Sequence, residues 1–356
     1  MRFALSRPGR SLLADGVDAA FTDPHAAAAA LAAERVGLVV GALPFDHADP
    51  AALVTPADAT FHAGPLPLFA GRPLPRFNRC DVTTRAEHRA RVAVAVARIR
   101  AGELGKVVLA RAIELRADGE LDPAEVFDRL LAGSQDGDAY LADLSAAGPE
   151  YDGAVLAGSM PESLVRTEGS RVFCAPFAGT VARGATEAQD RAAAEALLAS
   201  AKDREEHAFV VDWIAERLAP LCSELEVPTV PQVASTPQVW HLWTPIRGRL
   251  ARATTALDVA LTLYPTPAVC GTPADAARAT IAELEGPRGF YGGSVGWADS
   301  DGNGEWMVAL RCAELRPAEG RVRAWAGGGI VADSDPDAEY DETTAKFGTV
   351  LRALGV

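Results

Sequence analysis

The sequence predicts an α+β fold, with large antiparallel β-sheets flanked by helices. Three observations lead there. Short β-rich stretches follow one another closely through the middle of the chain, as antiparallel strands do. Three or four long helical stretches interrupt them. Neither a solenoid-type repeat nor a low-complexity linker separates the parts, so one continuous structural domain is expected. Within it, residues 1–80 read as an N-terminal part and 81–356 as the main part.

In chain order, 23–35 (DPHAAAAALAAER) and 84–103 read as helices, being Ala-rich with Arg on one side. Residues 44–80 are rich in proline and read as strand fragments joined by turns. KVVLARAIEL at 106–115 reads as a strand. DAYLADL, AVLAGS, SLVRT and RVFCAPF follow as strands, and Thr186 to about Ser223 as one long helical region opening on a cap. WHLWTPIRGRL (240–250) reads as a strand, and TPADAARATIAELEG (272–286) as a capped helix ending at Gly286. Three further strands are predicted at 289–298, 305–315 and 321–332, then a last helix from about 335 to the end.

Composition narrows the functional classes. The 356 residues are 49% hydrophobic and 23% charged, which is ordinary for a globular protein. No apolar run approaches the roughly 18 residues that span a membrane, and the start lacks a signal-peptide pattern. A soluble cytoplasmic monomer is the expectation. A net charge of −14 argues against nucleic acid and anionic membranes as partners. A small anionic substrate would need local cations. Cys80, Cys174, Cys222, Cys270 and Cys312 are scattered, form no CxxC pair or Cys/His cluster, and read as buried thiols.

Two acidic helices stand out. In KDREEHAFVVD (202–212), Asp203 and Glu206 lie three apart and share a helical face. In AEYDETTAK (338–346), Glu339 and Glu342 repeat that spacing, and Lys346 follows Glu342 by four. Taken alone, each is a solvated acidic patch. If the two converge, like charges repel unless a cation lies between them. Magnesium suits such a site, since it takes one or two carboxylates and keeps several waters.

Five ordered motifs add to this: KVVLAR (106–111), GSMPESL (158–164), APFAGTVARG (175–184), YPTPAVCG (264–271) and GGGIVADSDPDAEYDET (327–343). With REEH (204–207) and QVWHL (238–242), they resemble the chorismate-utilising enzymes: isochorismate, salicylate, anthranilate and aminodeoxychorismate synthases. The resemblance covers about 80–356. Within the family the chain looks most like the isochorismate synthases of siderophore biosynthesis, which lead to 2,3-dihydroxybenzoate or salicylate. Water-using members carry a lysine in the KVVL strand, here Lys106, and PTPAVCG resembles isochorismate more than salicylate synthases.

That resemblance implies magnesium-dependent conversion of chorismate to isochorismate, by water addition at C2 and loss of the C4 hydroxyl. A salicylate synthase, or a relative that binds chorismate without chemistry, is the alternative. It implies Lys106 as base, needing surroundings that favour a neutral amine, and Glu162 as acid, needing a poorly solvated place. Glu206 and Glu342 would bind magnesium directly, with Asp203 and Glu339 acting through bound water. Arg311 and Lys346 would bind substrate carboxylates. The N–H groups of Gly327, Gly328 and Gly329 would face an anion, and Gly179, Thr180, His241 and Ala268 would line the site. Three departures stand against the family pattern: Met160 where serine is usual, Asp203 where glutamate is usual, and Tyr264 where histidine is common.

Overall fold

A computed structural model describes residues 1–69, 71, 73–235 and 239–356. Gln238, the first residue of QVWHL, therefore lies outside the described residues, as do residues 70 and 72 of the proline-rich stretch. Two large antiparallel sheets face each other. The first runs, in spatial order, Gly271–Thr272, Lys106–Ala117, Arg321–Ile330, Cys312–Arg316, Val155–Gly158, Ala139–Asp143, Phe3–Ser6, Arg10–Asp15 and Asp58–Ala63, with Phe77–Asp81 also on Lys106–Ala117. The second runs Cys222–Glu226, Ile246–Leu250, Arg171–Cys174, Ser163–Glu168, Gly304–Val308, Ser294–Asp299, Leu38–Leu43, Ala52–Thr55 and Ala19–Phe21. A small third sheet holds Phe177–Ala182, Val239–Trp243 and Gln232–Ser235.

The layers follow from which faces are apolar. Phe3, Leu5, Leu12 and Tyr140 from the first sheet pack directly on Val40, Val295, Trp297 and Met307 from the second. The outer face of the first sheet is covered by helices Pro123–Ala132 and Gly348–Leu354 around Phe127 and Leu354. The outer face of the second is covered by Ala201–Leu218 and Ala256–Leu263, through Val210, Ile214 and Leu257. The result is a helix–sheet–sheet–helix stack in which N-terminal strands belong to both sheets. Among the described residues, no helix is long and apolar enough to cross a membrane.

Several predicted elements differ in the structure. The helical region from 186 to 223 is two helices, Glu187–Ala199 and Ala201–Leu218. Ser200 is extended between them and its hydroxyl accepts from Asp203 N–H, so one residue ends the first helix and caps the second. The single strand expected over 240–250 is two, Val239–Trp243 and Ile246–Leu250, in different sheets. The one expected over 305–315 is likewise split between the sheets. The strand expected over 289–298 begins only at Ser294. Helix Ala274–Glu285 starts after Pro273 without a side-chain cap, though it ends at Gly286 as predicted. Of the five thiols, Cys174, Cys270 and Cys312 are buried, whereas Cys222 is only partly covered and Cys80 lies exposed on an outer strand.

The strand Lys106–Ala117 is held by a buried ion pair. Between the pairings with Phe77–Asp81 and Gly271–Thr272, side chains satisfy the edge of Lys106–Ala117. Glu285 accepts from Ala110 N–H at 2.6 Å, and Arg288 donates to the Val108 carbonyl at 2.7 Å. The two also bond each other at 2.7 Å, with side chains only 2% and 7% exposed. Arg288→Ala leaves a buried carboxylate unpaired and is expected to cost about 3–5 kcal/mol in denaturant unfolding. The double change Arg288→Met, Glu285→Leu is expected to cost less than Arg288→Ala alone.

Candidate active site

A cavity of roughly 770 Å³ opens where the two large sheets, the small sheet and the helix Pro336–Lys346 meet. Of the fifteen residues assigned to a site from the sequence, all but Gly328 line it: Lys106, Glu162, Gly179, Thr180, Asp203, Glu206, His241, Ala268, Arg311, Gly327, Gly329, Glu339, Glu342 and Lys346. They come from segments that the sequence separates widely, and the topology brings them together.

Lys106 begins its strand, and its Nζ donates to Glu206 Oε1 at 2.6 Å. Glu206 comes from the helix Ala201–Leu218, so the two acidic helices and the lysine strand meet here. On the other helix, Lys346 pairs with Glu342 at 2.6 Å and also donates to the Gly327 carbonyl at 2.9 Å. Glu339 Oε1 accepts from Ser334 at 2.7 Å, while its buried Oε2 has no partner in the protein. Burial raises the Glu339 carboxyl above its ordinary range, with Ser334 pulling it down and Glu342 pushing it up.

The glycine triplet is part of the Arg321–Ile330 strand, not a loop. Its contribution is missing bulk. A Cβ on Gly328 would lie 2.8 Å from Glu339 Oε2, and one on Gly329 would lie 2.7 Å from Lys106 Cε. Only glycine lets these side chains cross the strand so closely. The Gly327 carbonyl accepts from Lys346 at 2.9 Å. Gly179 has φ +76° at an irregularity between Ala178 and Thr180, and its bare Cα sits against Asp203.

Glu162 lies where the chain leaves the first sheet after Gly158 and joins the second at Ser163. It is 7% exposed, and its carboxylate accepts from the Phe177 N–H at 3.5 Å. Burial pushes its carboxyl up to about 7, against downward pulls from Phe177 N–H and Arg311. Arg311 occupies the matching crossing from Val308 to Cys312, in a left-handed conformation with φ 49°. Backbone held in that region is a feature of functional sites. His241 faces Thr180 across the small sheet, with Nδ1 3.0 Å from the hydroxyl. Burial lowers it to about 4, so its imidazole is neutral at pH 7.

Of the departures, Met160 is buried in the intersheet core and lines the cavity. Asp203 lines it too, under Gly179. Tyr264 does not; it stacks on His47 with ring centroids 4.3 Å apart. The sequence reading missed Lys202, Tyr291 and Arg352, which also line the cavity. Lys202 adjoins the acidic motif and could have been singled out from charge balance. Tyr291 and Arg352 carry no local signal.

The chorismate binding enzyme family matches residues 69–355. This chain belongs to the chorismate-binding enzyme family. The Mycobacterium tuberculosis protein MenF (strain H37Rv) is 48% identical over 99% of this chain and 96% of its own length. Isochorismate synthase EntC of Escherichia coli (strain K12) is 38% identical over 100% of this chain and 95% of its own. Among solved structures, MenF, the menaquinone-specific isochorismate synthase from Escherichia coli, superposes with a TM-score of 0.86 at 26% identity, covering 99% of this chain and 88% of that one.

The donor set fits a hard cation: four carboxylates with an orphaned, buried Glu339 oxygen among them. Among the described residues, no group of three or more His, Cys, Asp or Glu is already arranged to hold a metal. Lys106 and Lys346 instead neutralise Glu206 and Glu342. In both pairs the contact is to Oε1, so direct ligation by those two acids would use the other oxygen or exchange the lysine contact.

Proposed function

We propose that this chain is an isochorismate synthase, with chorismate as substrate, and that Lys106 and Glu162 are its base and acid. The observation that carries this reading is a buried Glu162, its carboxyl pushed up to about 7 by that burial, in the same cavity as Lys106 and the guanidinium of Arg311. Full-length similarity to an enzyme named isochorismate synthase supports it.

The chemistry requires two proton transfers and a fixed dianion. Arg311 holds a substrate carboxylate, with Lys346 nearby as a second cation. Lys106 takes a proton from the water whose oxygen bonds to C2, which requires that its charged contact to Glu206 first be exchanged. The ring double bonds shift, and the C4–O bond breaks. Glu162 gives its proton to the departing hydroxyl, which leaves as water. One water enters and one leaves, so the product is an isomer. Burial raises the Glu162 carboxyl to about 7, which keeps a proton available for that transfer near neutrality. Glu206 and Glu342 would hold magnesium, with Asp203 and Glu339 as outer partners; bound there, it supplies positive charge for the ring carboxylate.

The test is incubation of the purified chain with chorismate, with and without magnesium, followed by chromatographic separation of products. Isochorismate formed only with magnesium is the expected result. Salicylate with pyruvate would move the chain to the sister activity. No conversion by a folded chain supplied with magnesium would overturn the enzymatic reading.

A further inference from the structure

Behind the cavity lies a buried charge cluster that the chemistry above does not use. Arg7, just past the first N-terminal strand, donates through Nε to Glu305 Oε1 at 3.0 Å. Through Nη1 it pairs with Asp138, and the same nitrogen lies 3.4 Å from the Pro161 carbonyl. The three side chains are 13%, 5% and 9% exposed for Arg7, Asp138 and Glu305. Neither Arg7 nor Glu305 lines the catalytic cavity. Pro161 is the residue before Glu162.

The same turn is fastened a second way. The Ser159 hydroxyl donates to the Asp138 carbonyl at 2.7 Å, and Ser159 N–H donates to the Arg311 carbonyl at 3.3 Å. Glu305 sits on the strand that pairs with Ser163–Glu168, immediately beyond Glu162. One guanidinium thus joins the N-terminal segment, the Ala139–Asp143 strand entrance, the Ser159–Glu162 turn and the Gly304–Val308 strand. These are the pieces that carry Glu162 and lead to Arg311. A planar fork with several donors can serve three acceptors at once; an ammonium on a flexible stem cannot hold the same geometry.

We propose that Arg7 is a positioning residue for Glu162: its three-way contact to Asp138, Glu305 and the Pro161 carbonyl closes the turn that keeps the acid out of water. This rests on the reading of Glu162 as the acid. It also gives the N-terminal segment, which the motifs do not reach, a place in the chemistry. Glu162 is faced by Arg311 from the crossing between sheets and by the Phe177 N–H from the small sheet. Lys106 from the first sheet and His241 from the small sheet line the same cavity. Asp138 and Glu305 stand behind the turn with Arg7. Burial pushes Asp138 up to about 6, with Arg7 pulling it down. A change that removes the Arg7 charge would alter this field as well as the geometry, so the test keeps the charge.

The experiment is a titration of the Glu162 carboxyl by carbon-13 NMR in the full chain, assigned with Glu162→Gln, for wild type, Arg7→Lys and Ser159→Ala. Arg7→Lys retains the positive charge and loses the fork; Ser159→Ala breaks the second fastening and changes no charge. The Glu162 midpoint is expected to fall by at least about one pH unit in Arg7→Lys as water reaches the turn, and in the same direction by less in Ser159→Ala. In parallel, kcat for isochorismate formation is expected to fall about tenfold in Arg7→Lys, with KM within about twofold. A purely structural role would lower the melting temperature and leave the midpoint where it was. Unchanged midpoints in both variants overturn the proposal; if Arg7→Lys does not fold, Ser159→Ala decides alone. A wild type that titrates as expected but makes no isochorismate would sink the assignment of function and leave the positioning result standing.

Discussion

Glu162→Gln is expected to lower kcat by about 10²–10⁴-fold, the usual contribution of a positioned acid, while stabilising the protein at pH 8. The amide keeps the shape and still accepts from the Phe177 N–H, so substrate binding should change little. Stability moves the other way because the carboxyl is buried. Its folded value is about 7, against an ordinary 4.5. Below 4.5 the group is protonated in both folded and unfolded chains and costs nothing. As the pH rises from 4.5 to 7, the unfolded chain releases the proton and the folded chain holds it, so stability falls. Above 7 the loss is complete, at about 3 kcal/mol for that difference. Denaturant unfolding of wild type and Glu162→Gln at pH 4 and pH 8 checks this. Equal stabilities at both values would mean that the carboxyl is solvated, which removes the reason to assign it the acid role.

Lys106→Ala carries the other large effect. Loss of the base is expected to cost about 10²–10⁴-fold in kcat. It also frees Glu206, whose carboxylate the lysine holds at 2.6 Å. If Glu206 is a metal ligand, calorimetric titration with magnesium should show undiminished or tighter binding in Lys106→Ala and clearly weaker binding in Glu206→Ala. Magnesium binding lost equally in both would place the lysine in the metal site's structure and undercut its reading as a base.

Much of the site was legible because its residues sit in ordered motifs, and the fold class followed from strand density. What stayed hidden was long-range. The pairing of Lys106 with Glu206 joins residues a hundred positions apart. No local pattern shows that Ala309–Arg311 or Thr244–Pro245 carries the chain from one sheet to another, because apolar residues continue on both sides. The helix Pro123–Ala132 has an Asp122 cap and a first-turn proline, signals that could have revealed it. Ser200 looks like any residue in a long helical run until its extended backbone breaks that run in two.

The pairing of Lys106–Ala117 with Arg321–Ile330 has a consequence during synthesis. Some 200 residues separate the two strands, so at typical elongation rates the first is made on the order of 10–40 s before its neighbour. Throughout that interval Val107, Val108 and Leu109 have an open edge, which makes the nascent chain a natural client for chaperones that shield apolar strands. The cavity is completed late as well: Glu342 and Lys346, which line it, follow that second strand.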